Sequence, residues 1–141
     1  MKTFLDTSVL LPAFLEYHEH HEASLNVLLK AEKNQSYCAG HSLAELYAAA
    51  TRLPGKHRLS GEQVLLYLEN VRERLTIITL TGDEYYAVVK EGAAGYIVGG
   101  MIYDAILARC ALKAGAEVIY TWNMKHFQRL GTEVAKRLRT P

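Results

Sequence analysis

The chain has 141 residues, of which 50% are apolar and 22% are charged, and its net charge at pH 7 is +1. This length suits a single domain over residues 1–141 with a sizeable core, and the composition is that of a globular protein rather than a disordered segment. The near balance of 16 basic and 15 acidic residues excludes a uniformly basic nucleic-acid binder, so any contact with nucleic acid requires a local basic patch.

Neither a secretory leader nor a membrane span is expected. The apolar N-terminal stretch is interrupted by Asp6 and Pro12 and lacks a small-residue cleavage site. No apolar run approaches the roughly 20 residues that a membrane-spanning helix requires. Cys38 and Cys110 have no nearby partner in the sequence and are expected to be buried thiols in a reducing compartment. We therefore expect a soluble, cytoplasmic protein.

Short segments suited to strands alternate with longer segments of helical periodicity. The strands are predicted at Thr3–Leu5, Ser36–Ala39, Leu75–Leu80 and Val118–Thr121. Among the helical segments, Gln63–Arg72 has one mainly apolar face, and Thr81 with Glu84 forms the pattern of a capping box at a helix start. This alternation predicts an α/β fold, a three-layer α/β/α sandwich with a mostly parallel central sheet.

Three acidic residues lie where such a fold would bring them together. Asp6 directly follows the first strand, Glu45 lies in the first turn of the helix after the second strand, and Asp104 opens a helix predicted to begin at Tyr103. Binding sites in parallel α/β sheets form beyond the carboxyl ends of the strands. Carboxylates gathered there repel one another, and a divalent cation relieves that repulsion. Oxygen ligands without a Cys or His cluster favour Mg²⁺ or Mn²⁺ over Zn²⁺.

Each of these acids also has a purely structural explanation. Asp6 is placed to cap the helix that begins near Ser8, and Glu45 is placed to complete a capping box with Ser42. Asp104 is placed to cap its own helix or to stabilise the dipole of that helix. Spacing alone therefore predicts a metal site without excluding that the acids only stabilise helix ends.

Four segments of the chain resemble the motifs of the PIN-domain family, and especially its VapC-type toxin ribonucleases. The segments are Phe4–Leu10, Ser42–Tyr47, Gly99–Leu107 and Thr121–Gly131. Their order and spacing fit the family, and the Gly-Gly-x-Ile-Tyr-Asp-Ala string of the third segment is the most specific. The resemblance implies that Asp6, Glu45 and Asp104 are catalytic residues that bind Mg²⁺, with Mn²⁺ as a substitute.

The fourth segment departs from the family pattern. Many members carry another Asp where Asn123 or His126 stands, and this chain has neither acid. Asn123 is the candidate catalytic residue at this position, because its amide can hydrogen-bond to a water on the metal. Thr7, Ser8 and Thr121 are expected to orient the metal ligands by hydrogen bonds. We expect the missing carboxylate to weaken a second metal site or to slow the chemistry.

Two basic clusters are candidate contacts for RNA phosphates. One follows the helix of Glu45 and includes Arg52 and Lys56, and the other includes Lys125 and Arg129 near the C-terminus. Solvated helix faces and turns are the alternative interpretation of these residues.

The resemblance implies a Mg²⁺-dependent endoribonuclease that acts as the toxin of a toxin–antitoxin pair. It also implies a VapB-type antitoxin that inserts a segment into the acidic crevice, and a homodimer for which the Gln63–Arg72 helix is a candidate surface. Two other functions fit the same residues. One is a PIN nuclease of RNA processing without an antitoxin. The other, motivated by the missing acid, is a catalytically weak module that binds a metal or a partner.

Overall fold

The computed structural model describes residues 1–141 and contains a five-stranded sheet. The strands are β1 (Thr3–Leu5), β2 (Ser36–Ala39), β3 (Thr76–Ile78), β4 (Val118–Tyr120) and β5 (Leu138–Arg139). The order across the sheet is β3-β2-β1-β4-β5, and every neighbouring pair is parallel. The predicted parallel α/β sandwich is confirmed. The strand β5 was not predicted, since two residues are too few to show a periodic pattern, and β3 is shorter than predicted.

Helices connect the strands and cover both faces of the sheet. They are α1 (Thr7–Phe14), α2 (His21–Leu29), α3 (Gly40–Thr51), α4 (Gly61–Arg74), α5 (Gly82–Ala94), α6 (Met101–Lys113), α7 (Met124–Gln128) and α8 (Thr132–Ala135), with a 3-10 turn at Gly55–His57. A capping box begins α4 at Ser60 and another begins α5 at Thr81, and the second of these was predicted. None of the helices combines the length and the apolar surface needed to cross a bilayer.

The starts of α3 and α6 differ from the prediction. The capping box proposed for Ser42 and Glu45 is wrong, because α3 begins at Gly40 and both residues lie inside the helix. A Cβ at position 40 would lie 2.9 Å from the Thr79 side chain, so close packing explains glycine at this helix start. Asp104 lies in the first turn of α6, which begins at Met101 rather than at Tyr103. Neither acid is therefore the first residue of its helix.

Alternating side chains of the strands form two cores, one on each face of the sheet. Phe4 and Ala39 pack in the core that is completed by α5, α6, α7 and α8. Leu5 and Cys38, their neighbours along β1 and β2, pack in the core that is completed by α1, α2, α3 and α4. All four side chains are fully buried. The buried alternation confirms the three layers.

The sheet changes winding direction at β1, which has β2 on one side and β4 on the other. Sheets of this kind open a crevice at such a switch point, beyond the carboxyl ends of the strands. Leu5 pairs with Tyr120 in the register of β1 and β4. Asp6 directly follows β1 and Thr121 directly follows β4, so both residues lie at the base of this crevice.

Candidate active site

Asp6 lies at the base of the crevice with only 2% of its surface exposed. Its backbone N–H donates to the carbonyl of Tyr120 over 3.0 Å, which fixes the residue beside β4. Its Oδ2 accepts hydrogen bonds from Ser8 Oγ (2.7 Å) and Thr121 Oγ1 (2.8 Å), whereas no side chain donates to Oδ1. Asp6 occupies the N-cap position of α1, but its side chain makes no capping hydrogen bond. Helix capping therefore does not account for this carboxylate.

The charge of Asp6 is not compensated within the chain. Burial raises the pKa of Asp6 to about 6; the hydrogen bonds from Ser8 and Thr121 oppose this shift, and the nearby carboxylate of Asp104 adds to it. No Lys, Arg or His forms an ion pair with Asp6. A buried carboxylate of this kind would be stabilised in its ionised form by a cation in the crevice.

The hydroxyls that hold Asp6 also hold the loop between β4 and α7. Ser8 Oγ accepts from the backbone N–H of Trp122 (2.9 Å), and Thr121 Oγ1 accepts from the backbone N–H of Asn123 (2.9 Å). Each hydroxyl therefore accepts from the loop and donates to Asp6, and the two hydroxyl oxygens lie 3.2 Å apart. This pattern fixes the loop relative to the carboxylate.

Glu45 is joined to α1 by the hydroxyl of Thr7. Thr7 Oγ1 lies 2.8 Å from Glu45 Oε1 and 2.7 Å from the Oγ of the buried Ser42. A carboxylate only accepts, so Thr7 is the donor to Glu45 and is at the same time within hydrogen-bond distance of Ser42. Glu45 is thereby held on the side of α3 that faces α1. Its partner Thr7 directly follows Asp6 in the chain.

Asp104 stands at the more open side of the crevice, with 22% of its side chain exposed, and its Oδ2 lies 3.6 Å from Nδ1 of His126. Its pKa is raised chiefly by burial; His126 opposes the shift, and Glu45 adds to it. Since Asp104 also raises the pKa of Asp6, the three carboxylates influence one another electrostatically. His126, on α7, approaches Asp104, and it occupies one of the two positions at which many family members carry an Asp.

The three carboxylates fit a divalent cation by their chemistry. They are hard oxygen donors, and neither Lys nor Arg neutralises any of them. No three acidic, His or Cys side chains lie close enough to share one ion in the arrangement described. Common ligation therefore requires side chains to rotate, for which the partly exposed Asp104 has room.

The remaining candidates lie at different distances from the acids. Asn123 is exposed, and its side chain makes no hydrogen bond within the chain. Lys125 and Arg129 are exposed and lie on either side of His126, on α7 and at its C-terminal end. Arg52 follows the C-terminal end of α3, seven residues beyond Glu45, which is about 10 Å along the helix axis. Lys56 lies further on, in the 3-10 turn.

None of the main cavities contains the acids. One of about 590 Å³ lies beside α2 and the C-terminal residues, and one of about 500 Å³ lies between Tyr17 and α4. Small-molecule ligands are usually bound in cavities of this size, which enclose most of their surface. The acids lie outside these two cavities, at the carboxyl-terminal edge of the sheet.

Comparison with known proteins agrees with this geometry. Residues 3–132 match the profile of the PIN domain. Ribonuclease VapC40 of Mycobacterium tuberculosis is 32% identical over 114 residues, which cover 81% of both chains. Ribonuclease VapC27 of the same organism is 34% identical over 115 residues, covering 81% of this chain and 80% of the relative.

Solved structures share the fold. A chain of VapBC2 from Rickettsia felis, bound to a DNA fragment from its promoter, has a TM-score of 0.66 at 22% identity and covers 99% of this chain and 98% of its own. A chain of the DNA-bound VapBC from Salmonella typhimurium has the same TM-score, identity and coverage. The profile match and the two ribonucleases show the family: this chain belongs to the PIN-domain family, whose nucleases are metal-dependent.

Proposed function

We propose that this chain is a metal-dependent endoribonuclease that hydrolyses RNA phosphodiester bonds, as the toxin of a toxin–antitoxin pair. The observation that carries the proposal is the carboxylate of Asp6, which is buried, held by two hydroxyls and not neutralised by any basic residue. Burial of an uncompensated acid reduces stability and is typical of a functional site. The two relatives named as ribonucleases give the site its reaction class.

Asp6, Glu45 and Asp104 would hold the divalent ion, for which we propose Mg²⁺ with Mn²⁺ as a substitute, because the donors are oxygens. When bound, the ion neutralises charge on the scissile phosphate and acidifies the attacking water. Within the chain, Ser8 and Thr121 hold Oδ2 of Asp6 and leave Oδ1 for the ion. Thr7 holds Glu45 in the same way, so these three hydroxyls orient two of the proposed ligands.

The substrate strand would be held by exposed residues at the rim of the crevice. Lys125 and Arg129 flank His126, which approaches Asp104, and we propose that they contact phosphates next to the cleaved bond. Arg52 and Lys56 would contact a more distant part of the RNA. The free amide of Asn123 would contact the substrate or a water, since it does not hold any group of the protein.

We propose a VapB-type antitoxin as the protein partner, because the solved structures that share the fold are VapBC complexes. A homodimer is supported by α4, where Leu65 and Leu66 are 58% and 71% exposed. Exposed apolar residues in adjacent positions favour a contact surface over solvent.

A catalytically weak module that binds a metal or a partner is the second candidate, favoured by the absence of a fourth acid, since Asn123 and His126 stand where family members carry Asp. Cleavage assays separate the two functions. The purified chain, free of antitoxin, is incubated with structured RNAs in Mg²⁺ or Mn²⁺, alongside reactions in EDTA and reactions of Asp6→Asn. Asp83→Asn, the same change at an exposed carboxylate on α5, is the matched control.

We expect cleavage by the wild type and by Asp83→Asn in the presence of metal, and none in EDTA or by Asp6→Asn. Cleavage by Asp6→Asn at the wild-type rate would overturn the proposed site. No cleavage by the wild type, together with a rise in melting temperature on addition of the metal, would support the binding module.

A further inference from the structure

We propose that His126 is a ligand of the catalytic metal ion and that its imidazole shifts the metal preference of this protein from Mg²⁺ towards Mn²⁺. The inference rests on the proposed metal-dependent function and adds to it a nitrogen ligand that an all-carboxylate site lacks. The pair that carries it is His126 and Asp104, the most closely approaching His and acidic side chains in the crevice.

The spacing of this pair suits two ligands of one ion better than a direct hydrogen bond. His126 Nδ1 and Asp104 Oδ2 are 3.6 Å apart, whereas direct hydrogen bonds between these atom types fall at about 2.7–3.2 Å. Consider two ligand atoms that each lie about 2.1 Å from the same ion. If the ligand–ion–ligand angle is between a right angle and the tetrahedral angle, the two atoms are roughly 3.0–3.4 Å apart. A shift of a few tenths of an ångström would therefore place a cation between these two atoms.

The imidazole of His126 is free to take this role. Its ring makes no hydrogen bond within the chain, and 55% of the side chain is exposed. The backbone that carries it is well anchored. The N–H of His126 donates to the carbonyl of Asn123 (3.1 Å), and the next residue, Phe127, is fully buried in the core. The hydroxyls of Ser8 and Thr121 fix the preceding loop, so His126 is presented to Asp104 from a fixed backbone.

A simple ion pair explains the contact less well. Half-exposed ion pairs at this distance contribute little to stability. The basic residues that flank His126 on α7 are better suited to neutralise an acid permanently, yet neither of them forms an ion pair with Asp104. The position next to Asp104 carries an imidazole, the side chain that can both ligate a metal and remain neutral.

The ligand type determines the expected selectivity. Mg²⁺ is bound almost entirely by oxygen ligands, whereas Mn²⁺, which also suits oxygen ligands, begins the first-row series along which the affinity of sites with nitrogen ligands rises. Replacing the nitrogen ligand by a carboxylate, in His126→Asp, should therefore restore preference for Mg²⁺. Replacing it by an amide, in His126→Gln, should weaken Mn²⁺ binding without restoring that preference. Because the side chain is exposed, neither change should prevent folding.

Electron spin echo spectroscopy of the Mn²⁺-loaded full chain tests the inference directly, because it detects a nitrogen nucleus bound to the ion. The variants are His126→Gln, His126→Asp and the control His57→Gln, whose ring stacks on Tyr17 away from the crevice. Calorimetric titrations of each protein with Mn²⁺ alone and with Mg²⁺ alone accompany the spectra. The melting temperature in EDTA checks that every variant is folded.

We expect nitrogen coupling in the wild type and in His57→Gln and none in either variant of His126. The Kd for Mn²⁺ should rise by at least about tenfold in His126→Gln, as is typical when metal surroundings are altered. Mn²⁺ binding that depends on Asp6 but shows no nitrogen coupling, or coupling that survives in His126→Gln, would overturn the inference and leave the proposed function intact. Failure of the wild type to bind Mn²⁺ or Mg²⁺ would overturn both.

Discussion

Replacing Asp6 by Asn should stabilise the metal-free protein at neutral pH, although it removes a residue on which the proposed activity depends. Burial raises the pKa of Asp6 from 3.8 to about 6 in the folded protein. The folded state therefore binds the proton of this carboxyl more tightly than the unfolded state does. Its contribution to the free energy of unfolding falls as the pH rises from about 4 to about 6, and it stays low at higher pH.

The difference between the two pKa values corresponds to about 3 kcal/mol of lost stability above pH 6. Asn has nearly the same shape as Asp and carries no charge. Its amide oxygen can accept the hydrogen bonds that Ser8 and Thr121 now donate to Oδ2. We therefore expect Asp6→Asn to raise the free energy of unfolding at pH 7.5 by up to about 3 kcal/mol and to change it little at pH 4.

Urea unfolding in EDTA, at several pH values between 4 and 8, measures this effect. The quantity to compare is the difference between variant and wild type at each pH, because it cancels the titration of all other groups. Asp83→Asn, at an exposed position, should show no such difference. A difference that is equal at pH 4 and pH 7.5, or an Asp6→Asn protein that is less stable than the wild type at pH 7.5, would refute the reasoning.

Three further predictions concern the metal, the hydroxyl network and the RNA. Mg²⁺ should raise the melting temperature of the wild type at pH 7.5 and progressively less below pH 6, where protons compete for the ligands; an equal rise at pH 5, measured by thermal shift, would contradict this. Thr121→Val should lower the free energy of unfolding by about 1–3 kcal/mol in urea titrations, because the buried Asp6 loses a donor and the part-buried N–H of Asn123 loses its acceptor; an unchanged stability would show that water replaces the hydroxyl. Replacing Lys125 and Arg129 together by Ala should weaken binding to single-stranded RNA and reduce the slope of log K against log salt by about 1.4 in fluorescence anisotropy. The same change at Arg52 and Lys56 should have the smaller effect, and the reverse order would place the RNA on the other cluster.

The position of Asp6 could be predicted from sequence because it depends on local features. A short apolar strand followed at once by an acid places that acid beyond the sheet whichever helices pack around it. Thr121 was predicted to be the last residue of its strand; β4 instead ends at Tyr120, and the register of β1 and β4 brings Thr121 next to Asp6. Sheet type followed from the alternation of strands and helices, since parallel neighbours need such crossovers.

Features that depend on distant contacts could not be predicted in the same way. The start of α3 is set where Gly40 packs against Thr79, a contact that no local capping pattern reveals. The approach of His126 to Asp104 depends on how α7 packs beside α6, although both residues were visible in the sequence. Two residues of β5 become a strand only because β4 offers an edge for pairing.

The hydroxyls around Asp6 affect what happens to the site when a cation binds and leaves repeatedly. Each hydroxyl oxygen already accepts from a backbone N–H group of the loop, which favours directing its proton to Asp6. The folded chain therefore orients both hydroxyls before an ion is bound. Dipoles oriented in advance cost no reorganisation at the moment they are needed. Successive binding and release of a cation can then leave the loop between β4 and α7 in place.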